Sequence, residues 1–334
     1  MPEPKFSVII PVYNRPQEVK EILRSLAAQT VKDFEVIIVE DGSAMRCEDI
    51  VDIFRDQLRI EYFFKPNTGP GPSRNAGFAR AKGNYFVVFD SDCILPSDYF
   101  AIVSKALEEN HWDAWGGPDK AHEDFTLRQR AMGYTMSSVL TTGGIRGGKK
   151  HLGWFQPRSF NMGISKKAFE ASKGFSNIHP GEDPDLSIRL WNLGFETRLF
   201  PNAYVYHKRR IDWDKFSLQV NKFGKARPIL NSWYPQYNKL TFFFPTVFII
   251  GFFVSLVLLI FNQDILLKIY FCYFLALFLL SSIQNKSVKI GYLSIIAAWK
   301  QFYGYGLGFL KSYFKIIILK QDPKKAFPEL FFKN

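Results

Sequence analysis

Cysteine is scarce in this chain, with three in 334 residues: Cys47, Cys93 and Cys272. Their spacing fits neither a disulfide framework nor a cysteine-ligated metal site, so they read as reduced thiols of a cytosol-facing protein. No G-x-G-x-x-G fingerprint and no Walker sequence is present, so no signature motif forces a phosphate onto a helix N-terminus. The opening Met1-Pro2-Glu3-Pro4-Lys5 has no apolar core, and no signal peptide is expected. Acid is in deficit: 31 Asp and Glu stand against 43 Lys and Arg, a formal net charge of +12. Such an excess selects acidic partners, whether nucleotide phosphates, anionic lipid headgroups or nucleic acid. No nucleic-acid-binding module is recognisable, and the basic residues cluster near hydrophobic segments, which favours phosphate and lipid.

Charge is missing altogether from residues 240–261, and about 20 apolar residues suffice to cross a hydrocarbon core. After the polar turn Asn262-Gln263-Asp264, residues 265–283 form a second run, with Lys268 close enough to its end to snorkel. The two read as a transmembrane helical hairpin. Ahead of them, Trp213, Phe216, Val220 and Phe223 recur at near-helical spacing among Lys215, Lys222, Lys225 and Arg227, as in a basic helix on an anionic membrane surface. A third apolar stretch, 290–319, is interrupted by Lys300, Gly304, Gly306, Gly308, Lys311 and Lys315. Charges in mid-span are expensive in hydrocarbon, and a third crossing would carry Lys320, Lys324, Lys325 and Lys333 outside, against the positive-inside tendency. The expected division is a soluble domain over 1–212, an interfacial helix and connector over 213–239, and two transmembrane helices over 240–283. Residues 284–334 are expected to form an interfacial or re-entrant helix and a basic cytoplasmic tail.

The soluble part is organised around residues 85–93, Tyr-Phe-Val-Val-Phe-Asp-Ser-Asp-Cys. A short all-apolar run reads as a central strand buried on both faces. Carboxylates at its end sit where open α/β sheets bind ligands. Strand geometry would point Asp90 and Asp92 the same way, toward one cation or one metal–phosphate unit, although Ser91 and Asp92 also suit a helix N-cap. Further strands are expected at 6–12, 34–39 and 60–64, and a Gly/Pro-rich loop over 67–75 feeds a helix carrying Ala76, Ala79 and Ala81. Alternating strands and helices predict an α/β, Rossmann-like doubly wound parallel sheet. Glu40-Asp41, the 67–75 loop, and Asp90 with Asp92 would then meet on one rim.

Four segments in series resemble the inverting family 2 glycosyltransferases of the GT-A fold. They are Ser-Val-Ile-Ile-Pro-Val-Tyr-Asn-Arg at 7–15, Val-Glu-Asp-Gly-Ser at 39–43, Ser-Arg-Asn-Ala-Gly at 73–77 and Asp-Ser-Asp at 90–92. The similarity runs over roughly residues 5–210. It implies a nucleotide-sugar donor held by Pro11, Tyr13, Asp41, Arg74 and Asp90, with Asp41 on the base and Asp90 on the ribose. It implies a divalent metal, Mn2+ or Mg2+, on Asp92 with His207 completing the site. Glu40 departs from the family's usual aspartate. Glu182-Asp183 at the start of an amphipathic helix resembles the family's Glu-Asp motif, which implies Asp183 as general base and Glu182 as its neighbour on acceptor or sugar. The same carboxylates would also suit the helix dipole. Arg189 and Trp191 follow on that helix, but Leu186 and Leu190 break the Gln-x-x-Arg-Trp pattern of processive members. Arg146 and Lys149, in a glycine-rich loop over 141–150, are candidate contacts for an acceptor or a phosphate, as are Arg189 and Trp191. Asn161-Met162-Gly163, on a strand edge, is a candidate lining of the sugar pocket.

The expected protein is a metal-dependent, non-processive glycosyltransferase in a prokaryotic plasma membrane, with its catalytic domain cytoplasmic. It would move one sugar, UDP-linked by preference, to a lipid-linked glycan acceptor. A polyprenyl-phosphate sugar synthase and a non-catalytic membrane scaffold are the alternatives. The retention of Asp41, Asp90, Asp92 and Asp183 argues against the scaffold.

Overall fold

The computed structural model describes residues 3–120, 122, 125–142, 155–208 and 212–332. The chain forms two compact units and passes between them after residues 122, 147, 208 and 330. The first comprises Met1–His122, Gly148–Lys208 and Phe331–Asn334, and the second Glu123–Gly147 and Arg209–Leu330. A boundary near 212 therefore marks only one of the crossings.

In chain order the first unit contains β1 (Phe6–Val12), α1 (Pro16–Ala27), β2 (Phe34–Asp41), α2 (Glu48–Asp52), β3 (Ile60–Lys65) and α3 (Pro70–Phe78). There follow β4 (Tyr85–Val88), β5 (Cys93–Ile94), α4 (Tyr99–Glu109), β6 (Ala114–Gly116) and β7 (Asp119–Lys120). Helices α5 (Leu127–Ser137) and α6 (Val139–Thr142) belong to the second unit. The first unit resumes with β8 (Met162–Ser165), α7 (Lys166–Ser172), α8 (Glu182–Asn192), β9 (Thr197–Leu199) and β10 (Val205–His207).

Seven strands form one sheet in the order β3-β2-β1-β4-β8-β6-β9. Strands β3, β2, β1 and β4 are parallel, and β8 lies antiparallel between β4 and β6. The sheet is thus mixed where a parallel one was expected, and the segment around Gly163 is internal rather than an edge. Trp115 explains the fit: its indole fills the space a Cβ on Gly163 would occupy, 2.0 Å away. Side chains alternate along β1. Phe6, Val8, Ile10 and Val12 pack with Val19, Ile22 and Leu26 of α1 and Phe100 and Val103 of α4. Ile9 points to the other face, with Phe78 of α3, Ala168 of α7 and Leu186 and Leu190 of α8. Helices on both faces of a sheet buried on both sides are what continuous apolar strands require.

Two local features differ from the pattern read in the sequence. Strand β4 stops at Val88, and Asp90 to Asp92 lie in a turn that the Cys93 N–H closes onto the Asp90 carbonyl at 3.1 Å. The two aspartates therefore do not share a face through strand periodicity. Helix α3 starts at Pro70, inside the expected loop, because prolines at the first turn forfeit N–H groups that have no helical partner anyway. Arg74 is consequently a helical residue. A second, three-stranded sheet in the order β5-β10-β7 pairs His207 with Cys93 in antiparallel register.

The second unit adds α9 (Trp213–Trp233), α10 (Phe244–Ile260), α11 (Ile265–Asn285), α12 (Val288–Ser312) and α13 (Pro323–Ala326). Two helices, Leu240–Ile260 and Ile265–Asn285, each of 21 residues, are long and apolar enough to cross a membrane, with mean hydropathies of 2.7 and 2.0. Residues 290–319 run as one rod, α12 followed directly by a π-helical turn at Tyr313–Ile318. Glycine lets α9 and α12 approach backbone to backbone. A Cβ on Gly308 would sit 2.3 Å from the Asn221 carbonyl oxygen, and one on Gly224 would sit 2.1 Å from that of Tyr305. Asn221 Nδ2 donates to the Gly304 carbonyl at 3.0 Å across the same seam. Gly308→Leu is expected to cost about 1–3 kcal/mol through overpacking. The measurement is a lowered thermal midpoint of the detergent-purified protein, with Leu310→Ala, at a half-exposed position, as the control.

Candidate active site

The rim at the carboxyl ends of β1, β2 and β4 receives α3 and the start of α8, and one buried arginine links them. Arg74 donates through Nη2 to Asp90 Oδ1 at 2.9 Å and through Nη1 to Glu182 Oε1 at 3.1 Å. Its side chain is 3% exposed, and Phe175 lies 5.2 Å from the guanidinium. Glu182 also contacts His179 Nδ1 at 2.8 Å, and its Oε2 accepts the Gly181 N–H at 2.9 Å. Gly181, at φ +133°, caps α8 in a conformation open to glycine. Burial alone would raise the Glu182 carboxyl, but His179 and Arg74 outweigh it and hold the group below its ordinary range. His179 responds in kind. Its own desolvation disfavours the charged ring, and Glu182 nonetheless carries it above its usual value.

Asp183 sits next in the same helical turn with the opposite balance. Burial pushes its carboxyl up, the neighbouring Glu182 charge adds to this, and Arg74, Arg158 and the Ser159 N–H only partly oppose. Its Oδ1 is buried without a hydrogen-bond partner among the described residues. Two adjacent carboxyls are thus driven apart in acidity by their surroundings, a pattern that marks acid–base sites.

A second polar node forms around Asp92. Its Oδ2 accepts from Arg15 Nη1, and His207 Nε2 lies 3.1 Å from Oδ1, at ion-pair distance without hydrogen-bond alignment. Burial would raise Asp92, but His207 and then Arg15 prevail and hold it well below the usual carboxylate range. Asp92, Cys93 and His207 each offer a ligand atom within 4.8 Å of the others. Asp92 Oδ1 and His207 Nδ1 are buried without hydrogen bonds among the described residues. A carboxylate oxygen and an imidazole nitrogen suit Mn2+ or Mg2+ better than a thiol does, and the Cys93 thiol already points to the Phe160 carbonyl at 3.4 Å. Asp92 and His207 are therefore a donor pair that fits a hard dication. Asp90, turned to Arg74, belongs to the first node.

Asp41 ends β2 almost fully buried. Its carboxylate accepts the N–H groups of Thr68 and Gly69, each at 2.9 Å, and pairs with Lys65. Glu40, beside it, is wholly buried and serves the fold: it accepts from Ser43 Oγ, from the Cys47 N–H at 2.9 Å and from the Cys47 thiol. Asn14 Oδ1 binds the N–H groups of Ala44 and Met45, tying the end of β1 to the loop after β2. Tyr13 is 54% exposed at that loop, next to the partly buried Pro11.

Other candidate residues lie elsewhere or are occupied. Arg189 spends its guanidinium on Asp185 and on the carbonyls of Ser172 and Gly174, and Trp191 Nε1 donates to Thr197 Oγ1 at 2.8 Å. Asn161 is wholly buried between Tyr99 Oη and the Ala203 carbonyl, so it braces strands instead of lining a pocket. Arg146 and Lys149 fall outside the described residues. The sequence reading missed three participants. Arg15 closes the first quoted motif, His179 precedes Glu182 by three residues, and Lys65 ends a strand opposite Asp41. Only their tertiary partners single them out.

Residues 7–171 match the family model described as Glycosyl transferase family 2. A probable glycosyltransferase of Bacillus subtilis, YdaM, is 26% identical over 274 residues, covering 73% of this chain and 64% of the relative. An uncharacterized glycosyltransferase of Rickettsia conorii is 42% identical over 108 residues, 32% of this chain and 18% of the relative. The match thus spans under a fifth of the length of that relative. Among solved structures, a mannosyltransferase of Pyrobaculum calidifontis in complex with GDP-Man and Mn2+ superposes with a TM-score of 0.56 at 16% identity, over 72% of this chain and 66% of that one. Staphylococcus aureus TarS 1-349, in complex with UDP-GlcNAc, gives 0.50 at 18% identity, over 95% and 92%. At these identities the likeness concerns the GT-A fold.

Replacing Arg74 by Met would strand the buried Glu182 charge, and removal of one partner of a buried pair typically costs about 3–5 kcal/mol. Chemical denaturation of Arg74→Met should show a loss of that order, and Glu182→Gln in the same background should recover part of it.

Proposed function

We propose, for a chain whose residues 7–171 match the glycosyl transferase family 2 model, that it transfers one sugar with inversion from a nucleotide-diphosphate sugar to an acceptor hydroxyl. The observation that carries this reading is Asp183, a partly buried carboxylate whose enclosed Oδ1 has no hydrogen-bond partner among the described residues and whose pKa is raised beside a firmly ionised neighbour. A general base near the operating pH is what deprotonation of an attacking hydroxyl asks for. Asp183 takes the hydroxyl proton as the oxygen bonds to the anomeric carbon and the bond to the nucleotide diphosphate breaks on the opposite side. Glu182, locked by Arg74 and His179, stays charged, keeps the Asp183 proton affinity high and faces the reacting sugar or acceptor. Asp41, Pro11, Tyr13 and Asp90 would hold the nucleoside.

Asp92 and His207 are the residues that would hold Mn2+ or Mg2+. Such an ion, when bound, neutralises charge that develops on the diphosphate leaving group. Two features support that role: Asp92 Oδ1 and His207 Nδ1 are buried without hydrogen bonds among the described residues, and the Pyrobaculum mannosyltransferase, which shares the fold, is in complex with Mn2+. A UDP-sugar is the favoured donor, in line with the UDP-GlcNAc bound by TarS. The acceptor is proposed to be a lipid-linked glycan at the cytoplasmic face of a prokaryotic plasma membrane. The two apolar 21-residue helices and the excess of cationic residues support this choice.

Nucleotide release from a panel of UDP-, GDP- and CMP-sugars, with lipid-linked and soluble acceptors, tests the reading. One donor should turn over, faster with the lipid acceptor, and chelator or Asp92→Ala should abolish the rate. Turnover indifferent to both would remove the metal from the scheme. Asp183→Asn should lower kcat by about 10²–10⁴-fold while leaving donor binding intact. Activity surviving it would favour direct attack by a lipid phosphate, which needs no base.

The acid limb of the pH–rate profile should lie above the ordinary aspartate range, because a raised pKa leaves Asp183 protonated, and unable to act as a base, to higher pH. The sign for stability is the reverse of an ordinary salt-bridged carboxylate. With the folded pKa above the unfolded one, ionisation destabilises the fold as pH rises past the unfolded value, and fully so above the folded one. Asp183→Asn should therefore melt at a higher temperature than the parent at neutral pH.

A further inference from the structure

The connection between α7 and α8 carries His179 and Gly181 to the two acidic residues and has no regular structure of its own. Its front is fastened to α3: Asn75 accepts the Phe175 N–H and donates to the Phe175 carbonyl, both at 2.8 Å. Gly71 of α3 allows the Ser176 carbonyl to approach, since a Cβ there would lie 2.6 Å from that oxygen. The rear of the connection finds its partner in Phe331 and Phe332, more than 150 residues on. Ile178, 1% exposed, forms an antiparallel bridge with Phe331. The Phe332 N–H donates to the Asn177 carbonyl at 3.1 Å, and Asn177 Nδ2 donates to the Phe332 carbonyl at 3.3 Å.

The Phe332 ring reaches two parts of the site at once. It lies 5.9 Å, centroid to centroid, from the His179 ring, whose Nδ1 contacts Glu182. Its other contact is Gly69, where a Cβ would collide with ring carbons at 2.2 to 2.4 Å. Gly69 holds a φ of +90° and donates its N–H to Asp41 Oδ2. One aromatic ring thus touches the glycine that anchors the carboxylate of β2 and the histidine that braces the carboxylate of α8.

We propose that Phe331 and Phe332 form a clasp that sets the spacing between the Asp41 loop and the Glu182-Asp183 turn, with Phe332 a positioning residue for transfer. The proposal rests on the reading of the acidic turn given above. Its physical basis is that a general base depends on sub-ångström geometry, and Phe332 adds an apolar brace between the Asp41 loop and the His179 side of the acidic turn to the polar links that Asn75 and Arg74 make from α3. Phe332 supplies a rigid apolar spacer, and the two hydrogen bonds to Asn177 keep that spacer in register.

The test uses the full chain purified in detergent. Hydrogen exchange followed by mass spectrometry would compare Phe332→Ala, Phe332→Tyr and the parent over peptides covering 174–182 and 66–71. Phe332→Ala should speed exchange in both peptides while leaving β1, β2 and β4 protected, and Phe332→Tyr should restore parental exchange. In the nucleotide-release assay, Phe332→Ala should lower kcat by about tenfold or more per folded molecule, as a displaced reacting group does, with the tyrosine variant again restoring it.

Unchanged exchange in both peptides would overturn the clasp. So would a loss of activity that merely follows the folded fraction. Should Phe332→Ala not accumulate as folded protein, Asn177→Ala removes one hydrogen bond of the clasp, and absence of faster exchange over 174–182 in that variant overturns the proposal equally. If the parent turns over no donor, the transferase reading fails, while the exchange measurements still decide whether the clasp exists.

Discussion

A guanidinium with almost no access to water cannot stand alone, and the rim of the first unit is built around satisfying one. Arg74, almost fully buried, is paired with Asp90 and Glu182, which lie 16 and 108 residues away in sequence. Burying such a charge costs several kcal/mol unless its hydrogen bonds are met, and Arg is suited to the task because its planar fork can serve two carboxylates at once. The consequence is mechanical as well as electrostatic. Helix α3, the turn after β4 and the first turn of α8 are pinned to each other, and so the rim of the sheet has one arrangement.

The same constraint separates the roles of the acids. Glu182 is drawn down by Arg74 and His179, while Asp183, one residue on and short of partners, is driven up. Asp92 forms its own node with Arg15 and His207 and remains ionised. Four carboxylates in the two nodes face two guanidiniums and two imidazoles. A fold selected for stability would have little reason to leave Asp183 Oδ1, Asp92 Oδ1 and His207 Nδ1 buried without a hydrogen bond among the described residues, although His207 Nε2 lies at ion-pair distance from Asp92 Oδ1. Stability is surrendered at these atoms, as it commonly is where a site must receive a ligand.

The second unit follows a different logic. Its helices meet through glycines and small residues, Gly224, Gly304 and Gly308 among them, and through Met132, Met136, Phe216, Val220 and Ala297 in one cluster. Close backbone contact of this kind gains dispersion energy from atoms brought within van der Waals reach.

The strands β1, β2 and β4, their helices, the two apolar helices and the acidic pairs were all legible in the chain itself. Each is a local pattern: continuous apolar runs, helical spacing, and carboxylates at the ends of both. The order of the sheet was not legible, because β8 is inserted antiparallel between β4 and β6 by a contact between Gly163 and Trp115 that no spacing announces. Nor were the partners of the acids legible: Asp90 is taken by Arg74 of α3, and Asp92 by Arg15 and by His207 of β10. Arg189 and Trp191 look available for a ligand and are spent inside the fold. Sequence determined which chemical groups are present and on which elements they ride. Tertiary structure decided which are paired and which are left free, because acidity and availability depend on burial and on neighbours within a few ångströms, and those neighbours come from distant parts of the chain.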